Sequence, residues 1–158
     1  MVDSSATFFR KENIMIKLIE MKNNSIGAVA INGLIPLGTV IRKIDCGTEC
    51  PAFTVSSSNA DTITISEAGY YEITYSITAL ATATGLNNIT LVVNGVDTYQ
   101  VGVTVATAGD AINLTLPYVV RVFNRCNNVA TNNPMTIQIK ADTAINSATS
   151  NIIVKKVR

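Results

Sequence analysis

The chain has 158 residues, of which only 15% are charged, and a formal net charge of +1. That length is most simply one domain, large enough to bury a core without disulfide staples. So small a net charge sets up no global field for nucleic acid or an anionic membrane. The longest apolar runs also fall far short of the ~20 residues that span a bilayer.

The opening MVDSSATFFRKEN lacks the apolar run of a secretory signal, which predicts synthesis in the cytosol. Residues 1–13 are polar apart from the pair Phe8 and Phe9. Residues 14–21, with Ile14, Ile16 and Leu18, are apolar but too short for their period to decide between strand and helix. Asn23-Asn24-Ser25 is a turn signal. Residues 26–40 are apolar and punctuated by Gly27, Gly33, Pro36 and Gly38, predicting two short strands with a break at Asn32-Gly33. Residues 1–33 are therefore expected to form an N-terminal extension, and 34–158 the main domain.

The main domain repeats one pattern. Strands are predicted over 39–44, 52–55, 62–65, 70–81, 88–93, 97–105, 111–124, 135–140 and 151–157, with Gly-, Asn-, Ser- and Thr-rich loops between them. The run 70–81 shows the pattern most clearly. Tyr71, Ile73, Tyr75 and Ile77 share one face; Tyr70, Glu72, Thr74, Ser76 and Thr78 share the other, because side chains alternate along a pleated strand. Asn94-Gly95 is a hairpin turn that needs positive φ. No stretch holds a 3.6-residue apolar period with a cap and a stop. The predicted fold is all-β: a double-sheet jelly-roll sandwich of about eight main strands with a short N-terminal extension.

The side-chain inventory argues against an enzyme. The chain has no histidine, so no Ser-His or Cys-His nucleophile pair exists. Asp61, Glu67, Asp97, Asp110 and Asp142 all fall at predicted turns or strand ends, where acidic residues commonly satisfy local backbone groups. The only thiols are Cys46, Cys50 and Cys126, one short of a four-ligand structural zinc site. A Cys46–Cys50 bridge, a bridge from either to Cys126, and free thiols all stay open. No DxD-type loop suggests calcium, and no catalytic, cofactor or metal residue is assigned. The glycosylation-type triplets at Asn23, Asn88 and Asn113 read as coincidence in an Asn- and Thr-rich chain. Tyr99, beside Gln100, is either core or a stacking face for a sugar. Arg121 and Arg125 flank Phe123 and are expected at the rim. Lys155, Lys156 and Arg158 read as a solvated end.

Three stretches carry a resemblance: Ile65-Ser66-Glu67-Ala68-Gly69-Tyr70-Tyr71-Glu72-Ile73-Thr74-Tyr75, Leu91-Val92-Val93-Asn94-Gly95-Val96, and Thr149-Ser150-Asn151-Ile152-Ile153-Val154-Lys155-Lys156-Val157. Over residues 36–158 the chain resembles the C-terminal domain of the BclA type, found at the tips of exosporium filaments. That domain belongs to the tumour-necrosis-factor and complement-globular-head superfamily of trimeric jelly rolls. Similar small domains occur as bacteriophage head fibres and decoration proteins. A BclA-type domain follows a collagen-like stalk, whereas residues 1–33 lack the glycine at every third position that a triple helix needs.

The resemblance implies a homotrimer, with Tyr71, Ile73, Tyr75, Tyr118, Val120, Val122 and Phe123 in the core or near its axis. It implies a non-enzymatic decoration or head fibre protein on a virion surface. Phe8, Phe9, Ile14, Ile16 and Leu18 would anchor it to the major capsid protein or another virion protein. The alternatives are a spore or cell-surface filament tip, and a carbohydrate-binding module recognising host-surface glycans.

Overall fold

The computed structural model describes residues 16–45, 51–58, 60–123 and 134–158. Among these, strands β1 (Leu18–Ile26), β2 (Gly33–Leu34), β3 (Thr39–Ile44), β4 (Phe53–Val55), β5 (Ile63–Ile65) and β6 (Gly69–Ala81) form the first half. The second half holds β7 (Gly85–Val93), β8 (Val96–Val105), β9 (Ala111–Val122), β10 (Met135–Ala141) and β11 (Ile145–Lys156). No helix occurs among the described residues. The strands build two antiparallel sheets that face each other. One sheet runs β3-β1-β11-β6-β9; the other runs β4-β5-β10-β7-β8, with the short β2 also beside β10. The all-β sandwich expected from the strand pattern is what the chain forms.

The alternation in β6 sets the core. Tyr71, Ile73, Tyr75, Ile77, Ala79 and Ala81 are all buried, while the residues between them face outward. On the neighbouring strand β9, Leu114, Leu116, Val120 and Val122 are buried in step, because the pairing runs from Gly69↔Val122 to Leu80↔Ala111 without a slip. Phe53, from the opposite sheet, meets the Tyr71 ring edge-on at 5.8 Å and 84°. Full burial of each such side chain stabilises the fold by about 1.5–3 kcal/mol, with an edge-to-face term added for the ring pair.

Turns hold the register. Asn94 and Gly95 take φ of 51° and 77°, as the β7–β8 hairpin requires. The Asn94 side-chain oxygen also accepts from the Thr136 amide at 2.8 Å, tying that hairpin to β10. Gly38, just before β3, has φ +88°, and any Cβ there would collide with the Lys22 carbonyl.

Three expectations need correction. Asn23-Asn24-Ser25 lies inside β1 rather than in a turn. Its turn chemistry survives as an irregularity in the β1–β11 pairing between Asn23 and Ile26, where Asn23 Oδ1 accepts from the Ser25 amide. Residues 16–33 are not separate from the sandwich, because β1 is hydrogen-bonded on both sides, to β3 and to β11. The final strand begins at Ile145, well before the expected 151; Ser147 at φ 48° and a register shift disguise its first half.

The two ends of the described chain meet at one end of the first sheet. The Lys156 amide donates to the Lys17 carbonyl, and the Tyr70 amide donates to the Arg158 carbonyl. Glu67 sits between Lys17 and Lys156, bonded to both and 2.6 Å from the latter. The Tyr71 hydroxyl donates to the Glu67 carbonyl at 2.8 Å, which joins this clamp to the core.

Candidate assembly surface

The residues expected at the core or the trimer axis divide into two groups. Tyr71, Ile73, Tyr75, Val120 and Val122 point between the sheets and are buried within a single chain. The structure pairs them directly across strands, Tyr71 with Val120 and Ile73 with Tyr118. Tyr118 is half-buried, and Phe123 is 44% exposed just beyond β9. Of the anchor residues, Leu18 is buried and Ile16 is exposed. Phe8, Phe9 and Ile14 lie outside the described residues, as do Arg125 and all three cysteines.

The surface available to a second molecule is the outward face of the β3-β1-β11-β6-β9 sheet. Its register defines rows across the strands. One row reads Thr39, Lys22, Asn151, Ser76 and Thr115; the next reads Thr149, Thr78 and Asn113. Thr78 donates to Asn113 at 2.7 Å, and Ser76 and Thr115 are 3.5 Å apart. These rows floor a shallow groove of about 290 Å³. Hydroxyls and amides dominate there, with Lys22 the one charge among those eight row residues.

Toward the end where the chain termini meet, the face becomes apolar and cationic. Val119 (56% exposed) stands across from Glu72, which pairs in turn with Lys155. Tyr70 stands across from Arg121. The Arg121 guanidinium lies 5.2 Å from the Tyr70 ring centre and 4.5 Å from that of Phe123, a cation–π arrangement with both.

The two edges of this sheet also carry apolar side chains. Every residue of β3 is exposed, including Val40, Ile41 (58%) and Ile44. At the far edge, Tyr118 of β9 stacks on Tyr99 of β8, with centroids 5.3 Å apart and 29° between planes. Tyr99 is therefore not core: one of its ring faces is covered by another tyrosine, and the residue stays 39% exposed. Sequence patterns missed β3, Val119 and Tyr70 as surface candidates. The signal was present in the second face of the alternation, but alternation alone does not say which outward residues a second molecule would cover.

The carboxylates weighed for acid–base work are engaged in local structure. Asp61 accepts from Thr62 Oγ1 and Asp110 from the Thr107 amide. Asp97 pairs with Lys140. Asp142 accepts from Thr90 Oγ1 at 2.5 Å and Gln100 Nε2 at 2.8 Å. The Lys140 pKa is raised, first by its bond to Asp97. Among the described residues, no group of three or more Cys, Asp or Glu is arranged to hold a metal, and no helix is long and apolar enough to cross a membrane.

No protein-family model matches the chain, and no curated protein matches it in sequence. Solved structures do match in fold. The globular domain of a zebrafish complement 1qA protein superposes with a TM-score of 0.63 at 6% identity, over 90% of this chain and 97% of that one. Eiger TNF from S. frugiperda gives 0.63 at 9% identity, over 91% and 92%. The PRD1 vertex protein P5 gives 0.57 at 17% identity, over 90% and 97%. At these identities the likeness shows the fold alone, a double-sheet jelly roll like that of these neighbours.

Proposed function

We propose that this chain is a non-enzymatic structural protein that assembles as a homotrimer and decorates the surface of a bacteriophage virion, attached through its N-terminal segment. One observation carries the assembly reading: exposed apolar side chains stand at both edges of the β3-β1-β11-β6-β9 sheet. Val40, Ile41 and Ile44 lie at one edge; Val119 lies at the other, beside Tyr118 and the Tyr99 that the facing sheet stacks on it. Two different patches that match each other make a head-to-tail contact, which closes into a ring when the rotation allows. Three copies is the closure that the family resemblance suggests.

Support for the virion comes from the likeness to the PRD1 vertex protein P5, whose name places that protein at a vertex. The position of β1 refines the anchor. Leu18 belongs to the sandwich, so attachment falls to residues 1–15 with Ile16. The test is to delete residues 1–15 and mix the purified protein with undecorated particles. The reading expects a folded trimer that no longer binds. Decoration at the full-length level would overturn the anchor, and an unassembled full-length chain would overturn the trimer.

A further inference from the structure

We infer that Asn94 is a self-modifying residue: its side-chain amide is lost through a cyclic imide closed by the Gly95 backbone nitrogen. The fold holds the other dipeptides capable of this chemistry inert.

The reaction needs only water. The deprotonated backbone nitrogen that follows an asparagine forms a bond to the side-chain Cγ. The Cγ–Nδ2 bond then breaks, and ammonia leaves with a proton taken from water. A second water opens the five-membered imide at one carbonyl or the other. The product is aspartate, or isoaspartate, in which the main chain runs through the side-chain carbonyl. Glycine is the most permissive following residue, because no Cβ crowds the attacking nitrogen. Serine, small and electron-withdrawing, comes next.

Four such dipeptides fall among the described residues: Asn24-Ser25, Asn32-Gly33, Asn94-Gly95 and Asn146-Ser147. In three of them the attacking amide is engaged. The Ser25 amide donates to Asn23 Oδ1 at 3.1 Å, and the Ser147 amide to Asn146 Oδ1 at 2.8 Å. The Gly33 amide donates to the Ala30 carbonyl at 2.9 Å. A donated proton is harder to remove, and the nitrogen cannot swing onto Cγ without breaking its bond. Gly95 differs. It stands at the exposed tip between β7 and β8, and its amide has no hydrogen-bond partner among the described residues. Apart from its chain neighbours, nothing lies within 4 Å of the place a Cβ would take. Ring closure turns the Gly95 nitrogen about the Asn94 Cα–C bond, and that open space gives the turn room to move.

The electrophile is prepared as well. Asn94 Oδ1 accepts from the Thr136 amide at 2.8 Å and from the Thr136 hydroxyl at 3.4 Å. Both donors meet the oxygen on which negative charge gathers as the nitrogen adds to Cγ, the arrangement that stabilises an oxyanion. The two products differ in consequence. Aspartate suits the same turn and keeps an acceptor for Thr136, adding one negative charge. Isoaspartate lengthens the main chain between residues 94 and 95, which the tight Val93↔Val96 pairing does not accommodate.

The test incubates the full-length chain at neutral and mildly alkaline pH, both folded and in concentrated urea. Each dipeptide is followed by peptide mass mapping and by isoaspartate-specific methylation. In the folded chain, Asn94 is expected to convert faster at the higher pH. Its rate should exceed that of Asn32 by about tenfold or more, the factor that one hydrogen bond held or lost makes. In urea the two Asn-Gly sites are expected to convert at similar rates. Folded-state conversion of Asn32 as fast as that of Asn94 overturns the assignment. So does a folded chain that keeps Asn94 intact while the urea sample converts it.

Discussion

Tyr99 and Tyr118 stack on each other from two different sheets, so one aromatic pair ties edge strand β8 to edge strand β9 where the sandwich would otherwise gape. Such a pair contributes about 0.5–1.5 kcal/mol beyond the area that it buries. A double-mutant cycle of Tyr99→Ala and Tyr118→Ala, followed by denaturant unfolding, should return a coupling energy in that range. Strict additivity would mean that the rings act separately and would contradict the stack.

Among the described residues, the core leaves buried polar atoms without a hydrogen bond. The Tyr75 hydroxyl and the Ser150 hydroxyl are both buried, and neither makes a hydrogen bond of good geometry. Burial pushes the Tyr75 phenol pKa up, and the nearby Ser150 hydroxyl only partly opposes that push. An unsatisfied buried hydroxyl costs about 1–3 kcal/mol, so removing it should not hurt. Tyr75→Phe is expected to be neutral or stabilising by up to about 1 kcal/mol in urea unfolding. Tyr75→Ala should cost about 3–5 kcal/mol, because the ring itself fills the core. A clear loss in the Phe variant would show that the hydroxyl has a partner.

Glu67 predicts a pH dependence. Its partial burial favours the neutral form, but the hydrogen bonds and charges of Lys156 and Lys17 outweigh that and hold its pKa below the usual carboxylate value. A group with a depressed folded pKa adds stability above its unfolded pKa, and that stability is lost as pH falls through the folded one. Unfolding measured across a pH series should therefore show a fall in stability below the ordinary carboxylate range, smaller in Glu67→Gln. The side chain is 35% exposed, so the effect should be modest and reduced by salt. Identical pH profiles for the two proteins would remove the clamp from the account.

The sandwich was legible because its main strands alternate strictly. Tyr71, Ile73, Tyr75 and Ile77 announce a buried face, and Asn94-Gly95 announces its hairpin, from local chemistry alone. Strand β1 was not legible, since Asn23-Asn24-Ser25 carries a real turn-like hydrogen bond inside a strand that tertiary pairing holds extended. The same limit hid the first half of β11, where Asn146 and Ser147 break the pattern at a bulge. For the candidate surface, periodicity separated Tyr70 from Tyr71 but gave no sign of which side another molecule would cover. Only the register, which sets Tyr70 against Arg121 and Glu72 against Val119, revealed a patterned outer face.

That face supplies a substitution aimed at assembly. Val119 is exposed in one chain, so Val119→Asp should cost an isolated copy only about 1 kcal/mol, from Asp in a strand and from like charge across from Glu72. Buried between copies, the same carboxylate also loses its water, a cost that falls on assembly. Its trimer is expected to dissociate at concentrations at least about tenfold higher than wild type, corresponding to ~2.8 kcal/mol or more per trimer, because a monomer–trimer dissociation constant scales as the square of the midpoint concentration. Sedimentation at a series of concentrations reads this out, and an unchanged dissociation midpoint would take Val119 off the interface.

The central claim is that this sandwich works as a closed ring of three copies. Sedimentation equilibrium of the purified full-length chain at micromolar concentration tests it most directly. The account predicts a single species with three times the 16.8 kDa mass of one chain, unchanged on dilution through that range. A single species at 16.8 kDa would contradict it.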